Sequence, residues 1–562
     1  MKRVFLFLSV LLLSVTVSAA VKLPKKVSSA RGSVASVLTY VSGKLKDNGT
    51  AVFVGGGGNI LVPYSLMYGA DSAVVIDAKG KARPVLGIVG LDEMYDCVRV
   101  RVAADRKMSH LPVSYAPVSV GEELYMLSYG AKNSGEVRST RVSAVDSLYS
   151  HAYYTLDIGM QQGFEALPLV NAKGELVALM QPSSTGDTCS YAVGGTIFET
   201  LMATSATYGL GHFNGMRLRT LLPADKETAL SCMYMQAMFG DSSSFGNAVN
   251  DFIAAYPTSC EGYMSKAEYL AEYCHDMNAA DKEWDRALSF TDKPAEVYFN
   301  KAKTIHSIVK TGNVQSHPML SDVNVLNLLD KAIAVDSLPL YLQYKADRLY
   351  DTGRYSEAYD CYISLVGSDI AQDGVYTNAS QCQYVLKNYD VAIELMDSAV
   401  KHAGSGEPEY AAPLLFRRGL MKDSIGRYRD AVMDYNLYEE SVSYSLGSTF
   451  YYVRSQAEAK CKMYQQALND LEKAISITPD YLLYHLEKGV LCYRLNLLED
   501  AATALERVKE LDDGISDVYY ILGCVYFKSG NGELAEENLV KAHSMGHPAA
   551  AVKLEELKGQ NP

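Results

Sequence analysis

The sequence predicts a multidomain chain of α and β structure, in which a β-rich N-terminal domain precedes an all-α repeat array. Three observations lead to this expectation. The chain begins with a basic and apolar leader, short apolar runs such as Asn59–Pro63 are typical of strands, and small residues recur at a constant step near the C-terminus. With 562 residues, of which 48% are hydrophobic, the chain is long enough to form more than one core.

The first residues have the pattern of a secretory signal peptide. Lys2 and Arg3 form a short basic region, an apolar run extends from Val4 to Val17, and small residues follow. We therefore predict a signal peptide over residues 1–19, cleaved after Ala19, and a mature protein that is periplasmic or secreted. An uncleaved membrane anchor is the alternative. No later segment has about 18 continuous apolar residues, so we expect no membrane span in the mature chain.

The charge balance argues against two classes of partner. The chain has 52 basic and 65 acidic residues, and loss of Lys2 and Arg3 leaves 50 basic residues and a net charge of −15. Nucleic acid and anionic lipid surfaces are therefore not expected partners. The ten cysteines have irregular spacings without a C-x-x-C pair or a zinc pattern, so we predict no metal site and no cofactor. Most should be small buried residues, although pairing in an exported protein stays open.

Three segments between residues 30 and 205 form an ordered set of motifs. They run from Gly49 to Ala70, from Tyr95 to Val100 and from Gln162 to Leu179. Together they resemble the trypsin-like serine proteases of the bacterial HtrA/DegP type, whose nucleophile motif reads roughly G-N-S-G-G-P-L-V-N. The matching residues in the third segment are Gly163, Pro168, Leu169, Val170, Asn171 and Gly174. The resemblance implies a trypsin-like double β-barrel over residues 30–205.

The same resemblance assigns three positions to the catalytic triad. Ser65 falls on the histidine, Asp96 on the aspartate and Glu165 on the serine, while Ala166 and Leu167 replace the two following glycines. The separation of Ser65 from Asp96 along the chain, and that of Asp96 from Glu165, both suit the family. Two of the three catalytic residue types are therefore replaced.

These replacements remove the chemistry of the triad. A triad needs a histidine nitrogen that takes the proton of a serine hydroxyl, and Ser65 offers no such base. Glu165 is a poor acyl acceptor with nothing to activate it, and its carboxylate would repel a developing oxyanion. The sequence therefore predicts an inactive protease-like domain with no catalytic residues.

An active peptidase with rearranged groups is the alternative function. It would use a serine-protease-like mechanism or one of the thiols of this half, Cys97 and Cys189. Cys97 falls in a predicted buried strand, where a small core residue is the more common interpretation. The histidines of this half, His110, His151 and His212, belong to no recognisable motif.

A structural protein with a different β-fold is a third hypothesis, and it predicts no two-barrel arrangement and no proximity of Ser65, Asp96 and Glu165. The glycine run from Gly55 to Gly58 could suggest a phosphate loop, but it lacks the Gly-Lys-Ser/Thr ending and the following helix. A hairpin turn is the better interpretation of this run.

The second half of the chain repeats itself between about residues 226 and 550, after an aperiodic linker at residues 206–225. Three sets of positions recur at one constant step: Ser455, Gly489 and Gly523; Ala467, Ala501 and Ala535; Leu471, Leu505 and Leu539. This spacing resembles the tetratricopeptide repeat, in which small residues lie where two helices approach closely. We predict about nine helix pairs stacked into a superhelical solenoid.

Aromatic residues fall at repeat positions that usually face the concave surface of such a solenoid. The candidate peptide-binding residues are Tyr350, Tyr384, Phe416, Tyr452, Tyr493, Tyr520 and Phe527. Such a groove can hold an extended peptide or a partner helix, whereas the alternative is that these rings only pack between helices. The combined hypothesis is an exported, catalytically inactive protease-like scaffold that binds protein or peptide partners through its repeats.

Overall fold

A computed structural model describes residues 23–183, 187–312, 317–404 and 408–560. The predicted signal peptide therefore lies outside the described residues. The chain divides into two compact units, residues 1–304 and 305–562, and each is described by itself. Within the described ranges, every helix is too short or too polar to span a lipid bilayer.

The first unit begins with two closed antiparallel barrels of six strands each. The strands are β1 (Val34–Val41), β2 (Lys44–Phe53), β3 (Asn59–Pro63), β4 (Ser72–Ile76), β5 (Ala82–Asp92), β6 (Cys97–Val102), β7 (Glu123–Leu127), β8 (Val137–Leu148), β9 (His151–Leu156), β10 (Pro168–Val170), β11 (Leu176–Met180) and β12 (Ser190–Gly194). The first barrel closes in the order β1-β2-β3-β6-β5-β4 and the second in the order β10-β11-β12-β9-β8-β7. This is the trypsin-like double barrel, so the predicted fold class is confirmed and a different β-fold is excluded.

Alternation along the strands explains how the first barrel fills its interior. In β6, Val98, Val100 and Val102 are buried, whereas the intervening Arg99 and Arg101 are half-buried. Successive side chains of a strand point to opposite faces, so the three valines enter the barrel core beside Ile60 of β3. A separate cluster combines residues of both barrels, among them Val54, Tyr95, Cys97, Leu127 and Val193.

The remaining regular elements of the described chain are helical. Four short ones accompany the barrels: α1 (Lys25–Ala30), α2 (Tyr64–Met67), α3 (Ile197–Thr200) and α4 (Ser205–Gly209). Nine pairs and a terminal helix follow within the described residues: α5 (Lys226–Phe239), α6 (Ser242–Ala255), α7 (Cys260–Glu272), α8 (Met277–Ser289), α9 (Pro294–Thr311), α10 (Asp322–Val335), α11 (Pro339–Asp351), α12 (Tyr355–Ser364), α13 (Gln372–Val385), α14 (Tyr389–Ala403), α15 (Pro408–Ser424), α16 (Tyr428–Ser441), α17 (Ser448–Lys460), α18 (Tyr464–Ile477), α19 (Leu482–Arg494), α20 (Leu498–Leu511), α21 (Ser516–Lys528), α22 (Gly532–Ser544) and α23 (Ala550–Gln560).

The close approach of paired helices accounts for the periodic small residues. A Cβ atom added to Gly489 would lie 2.6 Å from Cγ of Leu505, and one added to Gly523 would lie 2.6 Å from Cγ of Leu539. In each pair the glycine of the first helix therefore lies directly against the leucine of the second. The predicted helical repeat architecture is confirmed, and at these two positions the contact leaves room for hydrogen alone.

Residues of the expected linker pack on the first barrel. The amide of Ile88 donates to the carbonyl of Arg219 at 2.9 Å, and the amide of Leu221 donates to the carbonyl of Ile88 at 2.7 Å. Leu218 is buried in the core of the first barrel. This pairing holds the aperiodic segment against β5, a contact that has no signature in the spacing of its residues.

Candidate functional site

Ser65 and Asp96 form a hydrogen-bonded pair on the first barrel. Ser65 lies in α2, directly after β3, and Asp96 precedes β6 in the left-handed conformation with φ of 48°. The Ser65 amide donates to Oδ1 of Asp96 at 2.7 Å, and its hydroxyl donates to Oδ2 at 3.2 Å. The Tyr64 amide donates to the carbonyl of Asp96 at 3.1 Å. The two motifs that the sequence aligned therefore meet in space.

The pair lacks a group that could activate a nucleophile. Burial raises the pKa of the Asp96 carboxyl, while hydrogen bonds from Ser65 and Tyr64 partly oppose this shift. Both carboxylate oxygens of Asp96 already accept hydrogen bonds from Ser65. An imidazole at position 65 would shuttle a proton, but the short hydroxyl of Ser65 only satisfies the carboxylate.

Glu165 lies on the second barrel, in the turn that precedes β10. Oε2 of Glu165 accepts the amide N–H of Gly163 at 3.0 Å. Gly163 and Ala166 both have positive φ, 87° and 59°, and the Ala166 amide donates to the carbonyl of Met180 at 3.1 Å. Among the described residues, no hydrogen bond joins Glu165 to Ser65 or Asp96. The Glu165 side chain is instead bonded to its own turn.

This contact places a carboxylate against a backbone donor of the nucleophile turn. In an active enzyme of this fold, backbone N–H groups of that turn stabilise the developing oxyanion. The Gly163 amide is already bonded to an anion, Glu165, which would also repel a second negative charge. The sequence predicted that the Glu165 carboxylate would repel a developing oxyanion, but it did not predict that Glu165 would accept the Gly163 amide.

The thiols of the alternative hypothesis lie in different surroundings. Cys97 is the first residue of β6 and is buried between the barrels, and burial raises the pKa of its thiol. A neutral, enclosed thiol is a poor nucleophile. Cys189 is half-buried, and its Sγ lies 3.7 Å from the hydroxyl of Tyr191.

Sequence reasoning missed the position of His151. This histidine is buried, packs edge-on against Tyr95 with ring centroids 5.2 Å apart, and has Nε2 3.3 Å from Oγ1 of Thr200. Its ring therefore packs beside the residue that precedes Asp96. His110, by contrast, is exposed beside Gly56. Nothing in the local sequence around His151 distinguishes it from an ordinary surface histidine.

No group of three or more histidine, cysteine or carboxylate side chains within the described ranges could hold a metal ion.

The seven candidate aromatic residues of the repeats are all half-buried. Phe416 packs against Tyr435, Tyr438 and Phe450 with ring centroids 5.2 to 6.1 Å apart, so it belongs to the packing between helices. Tyr452 packs on Tyr484 of the next repeat at 5.2 Å.

The two candidates in the first half of the array also contact neighbouring helices. Tyr350 meets Tyr355 at 5.2 Å, and Tyr384 meets Tyr389 at 5.4 Å while its hydroxyl lies 2.6 Å from Oγ of Ser424. These rings contribute to packing even where part of their surface stays accessible.

The three candidates nearest the C-terminus are covered by basic groups. Nζ of Lys528 lies 4.5 Å from the ring centroid of Tyr493, and Nζ of Lys553 lies 4.6 Å from that of Phe527. The His547 ring stacks on Tyr520 at 4.1 Å. The sequence pattern identified the rings but missed these partners: Lys528 comes from the following repeat, Lys553 from the terminal helix α23, and His547 from the connection between α22 and α23.

Strand order, helix pairing and the Ser65–Asp96 contact define a trypsin-like double barrel joined to helical repeats. A family model described as "Tetratricopeptide repeat" matches residues 463–514. The crystal structure of the serine endoprotease from Yersinia pestis is similar over 31% of this chain at 20% sequence identity, with a TM-score of 0.28. The match spans 63% of the length of that endoprotease. No curated protein matches the chain. The barrel assignment rests on the strand topology.

Proposed function

We propose that this chain is an exported scaffold in which a catalytically inactive trypsin-like domain is joined to a tetratricopeptide array that binds protein or peptide partners. The observation that carries the proposal is the pair of replaced positions. Ser65 is bonded into Asp96, and the Glu165 carboxylate accepts the Gly163 amide. Without an imidazole and a serine nucleophile, the triad mechanism has neither base nor attacking group.

The helical half supports the binding part of the proposal. Stacked helix pairs expose extended surfaces on which proteins hold peptides or partner helices. Tyr493, Tyr520 and Phe527 are the best candidates, because each is half-buried and lies under a basic side chain. Aromatic rings with a polar or charged neighbour offer both contact area and directional contacts.

The test of inactivity uses the mature chain, casein and a fluorophosphonate probe. We expect neither cleavage nor labelling, with an active trypsin-like protease as the positive control. Cleavage that persists through purification and disappears in an Asp96→Asn variant would overturn the proposal. A thiol-directed probe that labels Cys189 selectively, with matching loss of turnover in Cys189→Ala, would establish the peptidase alternative.

The test of binding uses an immobilised peptide library with the full mature chain. We expect a subset of peptides to bind, and we expect Tyr493→Ala and Phe527→Ala to weaken that subset. Tyr234→Ala is the matched control, because this tyrosine is 40% exposed in α5, at the start of the array. Equal loss in all three variants, or no peptide bound by the parent chain, would contradict the binding proposal.

A further inference from the structure

Two successive repeats contain the same buried ion pair between their first and second helices. In the earlier repeat, Arg418 of α15 holds Asp434 of α16 through two hydrogen bonds of 3.0 and 2.6 Å. Lys422, one turn further along α15, places Nζ 2.8 Å from Oδ2 of the same aspartate. Arg418 also donates to Asp397 at 2.7 Å. The buried Asp434 carboxylate therefore forms ion pairs with two cations, Arg418 and Lys422.

The next repeat keeps the arginine and the aspartate but changes the third group. Arg454 of α17 holds Asp470 of α18 through bonds of 2.6 and 3.0 Å, and each residue lies 36 positions after its counterpart. The same step of 36 leads from Lys422 to Glu458. A carboxyl group therefore occupies the place of the ammonium group, next to a buried aspartate.

Glu458 has no counter-charge of its own. The residue is 4% exposed, and Oε2 has no hydrogen-bond partner. A buried and unpaired carboxylate is costly, because the low-dielectric interior disfavours its charge.

The neighbouring cations are already engaged. Arg454 also donates to Glu439 of α16 at 2.5 Å, in addition to its bonds with Asp470. Lys473 of α18 is half-exposed, with Nζ 3.8 Å from Glu439 and 3.7 Å from Asp470. Three carboxyl groups thus share two cations, which leaves one carboxyl uncompensated. Burial, followed by repulsion from Asp470, raises the pKa of Glu458 to about 7.

We propose that Glu458 is a protonation switch within the repeat array, which keeps α17 tightly packed on α18 when its carboxyl is neutral and loosens that packing when the carboxyl ionises. The direction of the pH effect follows from the linkage between protonation of Glu458 and stability of the folded state. The folded-state pKa lies above the unfolded value, so the stabilisation is complete below the unfolded pKa of 4.5 and is lost as pH rises through about 7.

The switch lies on a helix that also lines a cavity. Gln456, Ala459 and Lys460 of α17, together with Val490 and Arg494 of α19, border a cavity of about 410 Å³. Loosening of α17 would therefore change the shape of a surface available to a partner. This link to binding rests on the proposed function, whereas the titration of Glu458 does not.

The test is hydrogen exchange of the full mature chain at pH 5 and pH 8.5, corrected for intrinsic exchange rates. Between these values, we expect the local opening constant of residues 448–477 to rise on the order of a hundredfold, from the linkage of the pKa shift. Residues 408–441, where Lys422 replaces the switch group, should change little. Glu458→Gln should abolish the rise, and Glu440→Gln, at an exposed glutamate of α16, should preserve it.

A second substitution keeps the test decisive if the glutamine variant misfolds. Glu458→Lys recreates the charge pattern of the Lys422 repeat and should also remove the pH dependence. An equal pH response in residues 408–441 and 448–477, or a rise that persists in Glu458→Lys, would overturn the switch. Peptide binding that fails at every pH while this exchange pattern appears would count against the proposed function alone.

Discussion

Substitution of Gly489 by alanine tests whether the repeat frame is set by direct helix contact. The added Cβ would lie 2.6 Å from Cγ and 2.8 Å from Cδ2 of Leu505, whereas carbon atoms pack best at about 3.5–4.0 Å. Removing an overlap of about 1 Å requires α19 and α20 to separate or Leu505 to change rotamer, which costs about 1–3 kcal/mol. The higher helix propensity of alanine offsets up to about 1 kcal/mol of this steric cost.

Gly374→Ala is the matched control for this prediction. Gly374 also lies in a helix, α13, but an added Cβ would meet nothing within 4 Å. The control keeps the propensity gain without the steric cost, so the free energies of unfolding of the two variants should differ by about 1–3 kcal/mol. Urea denaturation followed by far-UV circular dichroism measures the shift, and Gly523→Ala, with the same 2.6 Å approach, should behave like Gly489→Ala.

A double variant separates steric conflict from other effects. Adding Leu505→Ala to Gly489→Ala removes the clashing branch, so the two changes should cost less together than the sum of the single changes. Equal stabilities of the Gly489→Ala and Gly374→Ala variants, or strict additivity in the double variant, would refute the reasoning from helix contact.

Three further outcomes are expected. Ala166→Gly should raise the free energy of unfolding by about 0.5–1 kcal/mol in urea titrations, because alanine at φ of 59° is strained; unchanged or lower stability would contradict this. Cys97 should react with a thiol reagent far more slowly than the exposed Cys274, because burial raises the pKa of the Cys97 thiol. Labelling followed by mass spectrometry measures the two rates, and equal rates would count against the burial of Cys97. Trp284→Ala should destabilise the first unit by about 3–5 kcal/mol in thermal or urea unfolding, and Trp284→Phe by less, because the indole is fully buried and donates to Asn300 at 2.9 Å. A loss below about 1 kcal/mol in the alanine variant would be inconsistent with that packing.

Much of the architecture could be predicted from the sequence because its signals are local or strictly periodic. The three motifs of the first half lie on successive parts of the barrels, and their resemblance to the trypsin-like triad implied that Ser65 and Asp96 would meet. The constant step between repeats predicted the helix pairs, because a small residue at a fixed position is required wherever two helices approach closely. Gly489 against Leu505 shows this requirement directly.

The parts that escaped prediction depend on contacts between distant segments or on side-chain rotamers. The bond from the Gly163 amide to Glu165 depends on how that carboxylate folds back on its turn. The contact of the Lys528 ammonium group with the ring of Tyr493 depends on the register between neighbouring repeats. The pairing of Arg219 with Ile88 joins a segment without periodicity to a strand far earlier in the chain.

One signal was present in the repeat frame and could have been used. Comparing equivalent positions across repeats aligns Glu458 with Lys422. Both repeats have an arginine and an aspartate at the neighbouring equivalent positions. A reversed charge at an otherwise retained ion pair identifies an electrostatic conflict from sequence alone. What the frame could not supply is the depth of burial, which turns that conflict into a shift of the carboxyl pKa.

Closure of both barrels has a consequence for the behaviour of this chain at high concentration. Each of the twelve described strands has a hydrogen-bonded neighbour on both sides, but β2 pairs with β3 only at Val52 and Phe53, so residues 44–51 of β2 are paired on the β1 side alone. Closure therefore shortens the strand edge that could serve as a template for strand-to-strand polymerisation, the usual hazard of exposed sheet edges. The one-sided part of β2 includes the exposed Lys44, Lys46 and Asp47, and charged side chains of this kind discourage pairing with another strand.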